Sequence, residues 1–196
     1  ACKEVEGFEA DDIIATLACR ARDAGGACTI ISSDKDLMQL VGDGVVMLDA
    51  MKNKVIDRDG VVEKFGVAPE RVVDVQALAG DSVDNVPGAP GIGIKTAALL
   101  INEFGSLEEL LDRAGEIKQP KRRESLMDNR AQIELSKQLV QLECNMELDF
   151  SIEDLEVRDP DPQELLDFVA QMEFRTLSKR LADKLGVQAP VIAEPE

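Results

Sequence analysis

Three short acidic clusters, each set against an apolar stretch, restrict what this chain can fold into. They are Glu9-Ala10-Asp11-Asp12, Ser32-Ser33-Asp34-Lys35-Asp36 and Gly80-Asp81-Ser82-Val83-Asp84-Asn85. A fold that buries the neighbouring apolar residues can draw the clusters together. Like charges packed together are costly unless cations neutralise them. Hard divalent cations take carboxylate oxygens as ligands. Convergence of Glu9, Asp11, Asp12, Asp34, Asp36, Asp81 and Asp84 therefore implies metal. Each cluster alone has a plainer explanation. Asp11 and Asp12 suit the positive end of a helix, Ser33 can cap the next one, and residues 80–87 read as a turn.

The apolar pattern between the clusters is that of an α/β fold. Residues 11–22 have helical periodicity, with Ile13, Leu17 and Ala21 on one face, and Gly25-Gly26 ends the helix. Residues 27–31 are a short β-branched run, expected as a buried parallel strand. Asp34 and Asp36 follow its C-terminal end, where α/β sheets place their ligands. A second helix is expected over 35–41, a hairpin over 45–57, and a short helix over 61–65 ending at Gly66. A helix from Pro69 to about residue 79 follows, then one over 96–104. Ser106-Leu107-Glu108-Glu109 is a capping box. One long helix is expected over 120–144 and another over 163–185, with a linker over 187–196.

Composition removes several chemistries. The chain has no His, which excludes imidazole general-base and Ser-His-Asp catalysis and argues against a Cys/His zinc site. Its four cysteines show no CxxC or disulfide-like spacing, which suits a reducing compartment, hence the cytoplasm. No apolar run approaches the roughly 20 residues of a membrane span. The net charge of −17 is the wrong sign for binding nucleic acid through bulk charge. Local patches and bound cations set such contacts instead. Aromatics are 3% and all Phe, so base stacking is disfavoured and contact to the nucleic-acid backbone is expected.

Two further stretches bear on a phosphate partner. Gly88 and Gly93 have the spacing of a nucleotide-binding P-loop, but Ile94 intrudes before Lys95 and no strand precedes Gly88. A helix-hairpin-helix fits better. Gly88, Gly91, Ile92, Gly93, Ile94, Lys95 and Thr96 would form the turn and the N-terminus of its second helix, with backbone N–H groups near a phosphate. Such contacts hold a duplex without reading its sequence. The basic run containing Lys118, Lys121, Arg122 and Arg123 offers further phosphate contacts, or is a solvated face. Paired divalent ions hydrolyse phosphodiesters, so these residues together lead to a metal-dependent nuclease.

The same residues carry a family resemblance. Residues 7–14 (Gly-Phe-Glu-Ala-Asp-Asp-Ile-Ile), 32–41 (Ser-Ser-Asp-Lys-Asp-Leu-Met-Gln-Leu-Val), 80–88 and 90–97 closely resemble the motifs of the 5′ nuclease family, in the form attached to bacterial DNA polymerases of class I. Val83 stands where the family usually has Ser, and residues 172–177 resemble a later motif. The resemblance implies a partial Rossmann-like (PIN-like) α/β core followed by a helical helix-hairpin-helix region. It implies two Mg²⁺ or Mn²⁺ ions held by Glu9, Asp11, Asp12, Asp34, Asp36, Asp81 and Asp84, with the six aspartates catalytic. It also implies K⁺ at the hairpin, in-line attack of water on phosphodiesters at DNA 5′ ends, flaps and RNA-DNA hybrid primers, and a bacterial cytoplasmic, nucleoid-associated location.

The expected division is residues 1–80 for the C-terminal part of the nuclease core, 81–186 for the hairpin and helical region, and 187–196 leading to polymerase domains. The first residues read as the middle of a protein. The resemblance places further metal-binding aspartates and basic arch residues upstream, so an N-terminally truncated piece of impaired activity is expected. The alternatives are a non-catalytic duplex-binding module and a stand-alone flap endonuclease.

Overall fold

The computed structural model describes residues 2–188. It divides into two units, Cys2–Ile152 and a second beginning at Glu153. Most of the expected linker, from residue 189 on, lies outside the described residues.

The first unit opens with helix α1 (Ala10–Asp23), which buries Ile13, Ala15, Ala18 and Cys19. Strand β1 (Cys28–Ile31) pairs in parallel with β2 (Val45–Asp49), Cys28 opposite Val45 and Ile31 opposite Leu48. Strand β3 (Lys54–Ile56) returns antiparallel, with Asp49 opposite Lys54, as the expected hairpin. The expectation of a buried β1 is corrected. Among the described residues β1 is a sheet edge; Ile30 is buried while Ile31 is 68% exposed. Its alternate residues face opposite sides, and only one side meets the core.

The expected helix over 35–41 is instead a single 3₁₀ segment, Asp36–Leu40. It closes through i→i+3 bonds, Met38 N–H to Lys35 and Val41 N–H to Met38, and buries Leu37, Met38 and Leu40. Helix α2 (Arg58–Phe65) begins three residues earlier than expected, because Asp57 accepts the N–H of Gly60 as its cap. Pro69 opens a 3₁₀ turn, Pro69–Arg71, and helix α3 (Val72–Ala79) starts afresh after it.

Helix α4 (Ile94–Phe104) and helix α5 (Leu107–Asp112) follow, the latter capped by Ser106 accepting the N–H of Glu109. The single helix expected over 120–144 is two, α6 (Pro120–Asp128) and α7 (Arg130–Val140). Asn129 between them leaves the helical region, and its side chain donates to the carbonyl of Ser125, competing with the helical ladder. One apolar core runs from Ala15 of α1 through the sheet, α2, α3, α4 and α5 to Ile133 of α7. Helix α3 lies inside it, with every residue from Val72 to Leu78 buried.

The second unit holds α8 (Pro162–Gln171) and α9 (Arg175–Leu185), joined around Leu166, Val169 and Ala182. They too were expected as one helix. Glu173, at φ +57, turns the chain into the left-handed region and separates them.

Candidate metal centre

The core brings the second and third acidic clusters together. Asp36 stands on the 3₁₀ turn after β1, and Asp81 and Asp84 on the loop after α3. One carboxylate oxygen from each lies within 4.8 Å of the other two. A cation bonded at about 2.0–2.1 Å holds opposite oxygen ligands about 4.2 Å apart. An all-oxygen set of three carboxylates this close can hold a hard divalent ion once they draw together around it. Among the described residues, Glu9, Asp11, Asp12 and Asp34 join no group as close.

Electrostatics nevertheless tie the first cluster to the second. Burial raises the pKa of Asp11, and the charges of Asp34 and Asp36 raise it further. Burial also raises Asp36; the Gln76 hydrogen bond and Lys35 counteract this, and Asp34 and Asp84 add to it. The mutual repulsion is what a cation would relieve.

In each cluster an N–H donor orients at least one carboxylate. Asp12 accepts from the backbone of Glu143 at 2.9 Å, Asp34 from the backbone of Asp36 at 3.0 Å, and Asp81 from the backbone of Val83 at 2.9 Å. Asp36 accepts from the side-chain amide of Gln76 at 2.5 Å. The Asp12 bond belongs to a ladder. Thr16, one turn along α1, donates to Glu143 O at 3.0 Å and accepts from Met146, and Arg20 donates to Met146 O at 2.8 Å. Glu9 occupies the N-cap position of α1 in extended conformation, without a side-chain capping bond, and is exposed.

Lys35 is a functional candidate that the acidic pattern concealed, although it stands between two of the aspartates. Its ammonium contacts Asp81 Oδ2 and lies 3.9 Å from Asp84. This contact holds the Asp81 carboxyl below the ordinary range, and raises Lys35 in turn. An open cleft of about 410 Å³ beside it is lined by Ser32, Ser33, Asp34, Lys35, Lys64, Val83 and Asp84. Gln76 was also missed; a polar side chain with apolar Val75, Ala77 and Leu78 beside it was its signal.

The loop carrying Asp81 and Asp84 is continuous with the glycine-rich hairpin. Asp81 and Val86 exchange backbone hydrogen bonds, 2.8 and 2.7 Å, closing a tight turn with Asn85 at φ +57. Helix α7 holds the next residue but one from behind: buried Ser136 accepts the N–H of Gly88 at 3.1 Å, and Gln132 donates to its carbonyl at 2.6 Å. Ser125 of α6 donates to Pro90 O at 2.7 Å. Gly88 and Ile92 are buried anchors, Thr96 is half-buried, and Gly91, Gly93, Ile94 and Lys95 are exposed. The N-terminus of α4 has no side-chain cap. Lys118 and Lys121 are exposed, Arg122 is half-buried, and Arg123 donates to Ile117 O.

Family models match this arrangement in two adjoining parts. The 5′-3′ exonuclease N-terminal resolvase-like domain matches residues 1–66, and the 5′-3′ exonuclease C-terminal SAM fold matches residues 67–163. The chain belongs to the 5′-3′ exonuclease family.

Within this 5′-3′ exonuclease family, the chain is 51% identical over 191 residues to DNA polymerase I of Rhizobium leguminosarum, covering 97% of this chain and 19% of that protein. It is 38% identical over 186 residues to the 5′-3′ exonuclease of Aquifex aeolicus (strain VF5), covering 95% of this chain and 63% of that one. The chain thus spans about a fifth of the first relative and less than two thirds of the second. Among solved structures, T5 5′-exonuclease with bound zinc ions superposes with a TM-score of 0.66 at 26% identity, over 71% of this chain and 52% of that one. The catalytic core of Rad2 in complex with DNA shares the fold, with a TM-score of 0.52 at 22% identity, over 84% and 56%.

Proposed function

We propose that this chain carries metal ligands and the duplex grip of a divalent-metal-dependent 5′ nuclease that hydrolyses phosphodiesters at the 5′ ends and flaps of duplex DNA. The observation that carries the reading is the convergence of Asp36, Asp81 and Asp84 on one cation-sized space. Support comes from a similar solved nuclease with divalent ions bound and from a T5 flap endonuclease in a pseudo-enzyme-product complex with DNA and metal ions.

Asp36, Asp81 and Asp84 would hold one Mg²⁺ or Mn²⁺ ion, and Glu9, Asp11, Asp12 and Asp34 contribute to a second. Ions bound there supply activation of the attacking water and neutralisation of the leaving oxygen. The protein's part is to aim the carboxylates, which the N–H donors on Asp12, Asp34, Asp36 and Asp81 accomplish. Lys35 brings a cation to the open cleft where the scissile phosphate would lie. Exposed Gly91, Gly93, Ile94 and Lys95 at the uncapped start of α4 grip a phosphate of the duplex, with K⁺ as a further bridging ion. Lys118, Lys121 and Arg122 at the start of α6 extend that contact.

In this reading residues 1–80 contribute the first five ligands, and residues 81–186 contribute Asp81, Asp84 and the hairpin. The substrates include RNA-DNA primers. The whole protein joins this nuclease to polymerase domains and works in replication and repair in the bacterial cytoplasm. Among the described residues no helix is long and apolar enough to cross a membrane. A fluorescent 5′-flap duplex incubated with the chain and Mg²⁺ tests the reading. Cation binding that Asp81→Asn weakens is expected, and whatever cleavage occurs is abolished by EDTA and by Asp81→Asn. Loss of neither cation binding nor cleavage in Asp81→Asn would overturn it.

A further inference from the structure

Gln76 is a polar side chain at the centre of a mostly apolar helix. Val72, Val73, Val75, Ala77 and Leu78 of α3 are buried around it, and Gln76 itself is 3% exposed. Its Nε2 donates to Oδ1 of Asp36 at 2.5 Å, across 40 residues of sequence. The other end of the amide, Oε1, is buried and meets no donor among the described residues. An amide buried with half its capacity unmet is a poorer core residue than leucine or methionine of similar size. Local stability given up in this way marks a place where position matters more than packing. Asp74, the other polar residue of the same helix, differs in having Lys137 and the N–H of Leu107 on its two oxygens.

We propose that Gln76 is a positioning residue of the metal centre: its Nε2 fixes which oxygen of Asp36 faces the cation, and its unpaired Oε1 is the acceptor for a water at the same site. This inference rests on the metal-dependent reading above. A ligand's outer partner sets its orientation, and losing such a partner typically weakens metal binding about 10- to 100-fold. Gln76 reaches Asp36 from α3, whose C-terminal end leads directly into the loop bearing Asp81 and Asp84. One helix therefore sets the spacing of ligands on both sides of the site.

The test compares the 196-residue chain with Gln76→Leu and Gln76→Met, titrating Mn²⁺ and following the free ion by electron paramagnetic resonance. Both variants are expected to bind Mn²⁺ about tenfold or more weakly, while melting in EDTA at the same temperature or higher. Unchanged Mn²⁺ affinity in a folded variant would overturn the proposal and leave Gln76 a packing residue. If neither variant folds, the side-chain amide resonance of Gln76 in the unaltered protein decides. It is expected to shift on addition of Mg²⁺ with the same midpoint as cation binding, and an unmoved resonance at saturation would sink the idea. No Mn²⁺ binding by the unaltered chain would instead refute the metal-dependent reading itself.

Discussion

Gly80 and Gly88 pack back to back at the two ends of the loop that carries Asp81 and Asp84. A Cβ on Gly88 would lie 2.4 Å from the backbone nitrogen of Gly80 and 2.6 Å from its Cα, and both glycines have positive φ. No flexible side chain is there to move aside. Gly88→Ala is therefore expected to destabilise the chain by at least about 3 kcal/mol. Gly91 also has positive φ but open space around its Cβ position. Gly91→Ala should cost only about 1–2 kcal/mol, the left-handed backbone penalty. Urea denaturation of the two variants separates collision from backbone preference, and equal losses would refute the close-approach account.

The clasp on the same loop gives a second expectation. Ser136 is fully buried and its hydroxyl accepts the N–H of Gly88. Ser136→Ala strands that donor in the interior, at about 1–2 kcal/mol. If the loop couples the metal ligands to the hairpin, the same variant also weakens both Mn²⁺ binding and flap-DNA binding. Titrations of each ligand against the unaltered chain measure this, and intact affinity for both would confine Ser136 to a structural role.

A buried ion pair anchors α3 to α7. Asp74 is 3% exposed, and Lys137 reaches it at 2.8 Å while also contacting Glu108 at 2.6 Å. Lys137→Met leaves Asp74 with the Leu107 N–H and a longer Arg71 contact of 3.4 Å. A loss of about 2–3 kcal/mol is expected, because a buried charge without its partner is costly. Asp74→Asn placed in the Lys137→Met background should recover part of it. A double-mutant cycle by denaturation checks the coupling, and strictly additive effects would contradict it.

The metal ligands set stability against binding. Burial, aided by Asp34 and Asp84, raises the pKa of Asp36 in the folded state. The native protein then binds this proton more tightly than the unfolded chain, so its contribution to stability falls as pH rises through the interval from the ordinary value to the raised one. At pH 7 in EDTA, Asp36→Asn is expected to be more stable by about 0.5 kcal/mol, a small figure because solvent screens a half-exposed group. The gain should shrink as the pH is lowered through that interval and vanish below about 3.9, the ordinary aspartate value. Cation affinity should drop sharply in the same variant. Thermal melts across pH, with and without Mn²⁺, test both signs at once; a stability loss at pH 7 in EDTA would refute the repulsion.

Much of the local structure was readable from the chain. The periodicity of α1, the β-branched run of β1, the hairpin of β2 and β3, and the cap at Ser106 each rest on interactions within a few residues. Errors fell where a local choice is nearly balanced. Asn129 and Glu173 each break a helix that apolar spacing alone would continue, since spacing reports which face is buried and not whether the backbone stays helical between two buried stretches. The 3₁₀ turn at Asp36–Leu40 likewise depends on Asp34 accepting the N–H of Asp36 and on the core beneath it.

For the site, sequence alone determined the inventory: which carboxylates exist, that each adjoins an apolar element, and that a glycine-rich turn follows the third cluster. Only tertiary structure decided which of them meet. Asp36 and Asp81 are brought together by burial of α3 inside the core, and their orientation depends on donors distant in sequence or hidden in a motif, Gln76 for Asp36 and Lys35 for Asp81. The reason is physical: charge repulsion among carboxylates and the placement of a single buried amide are set by distances in space, and chain spacing carries no record of those beyond a turn or two.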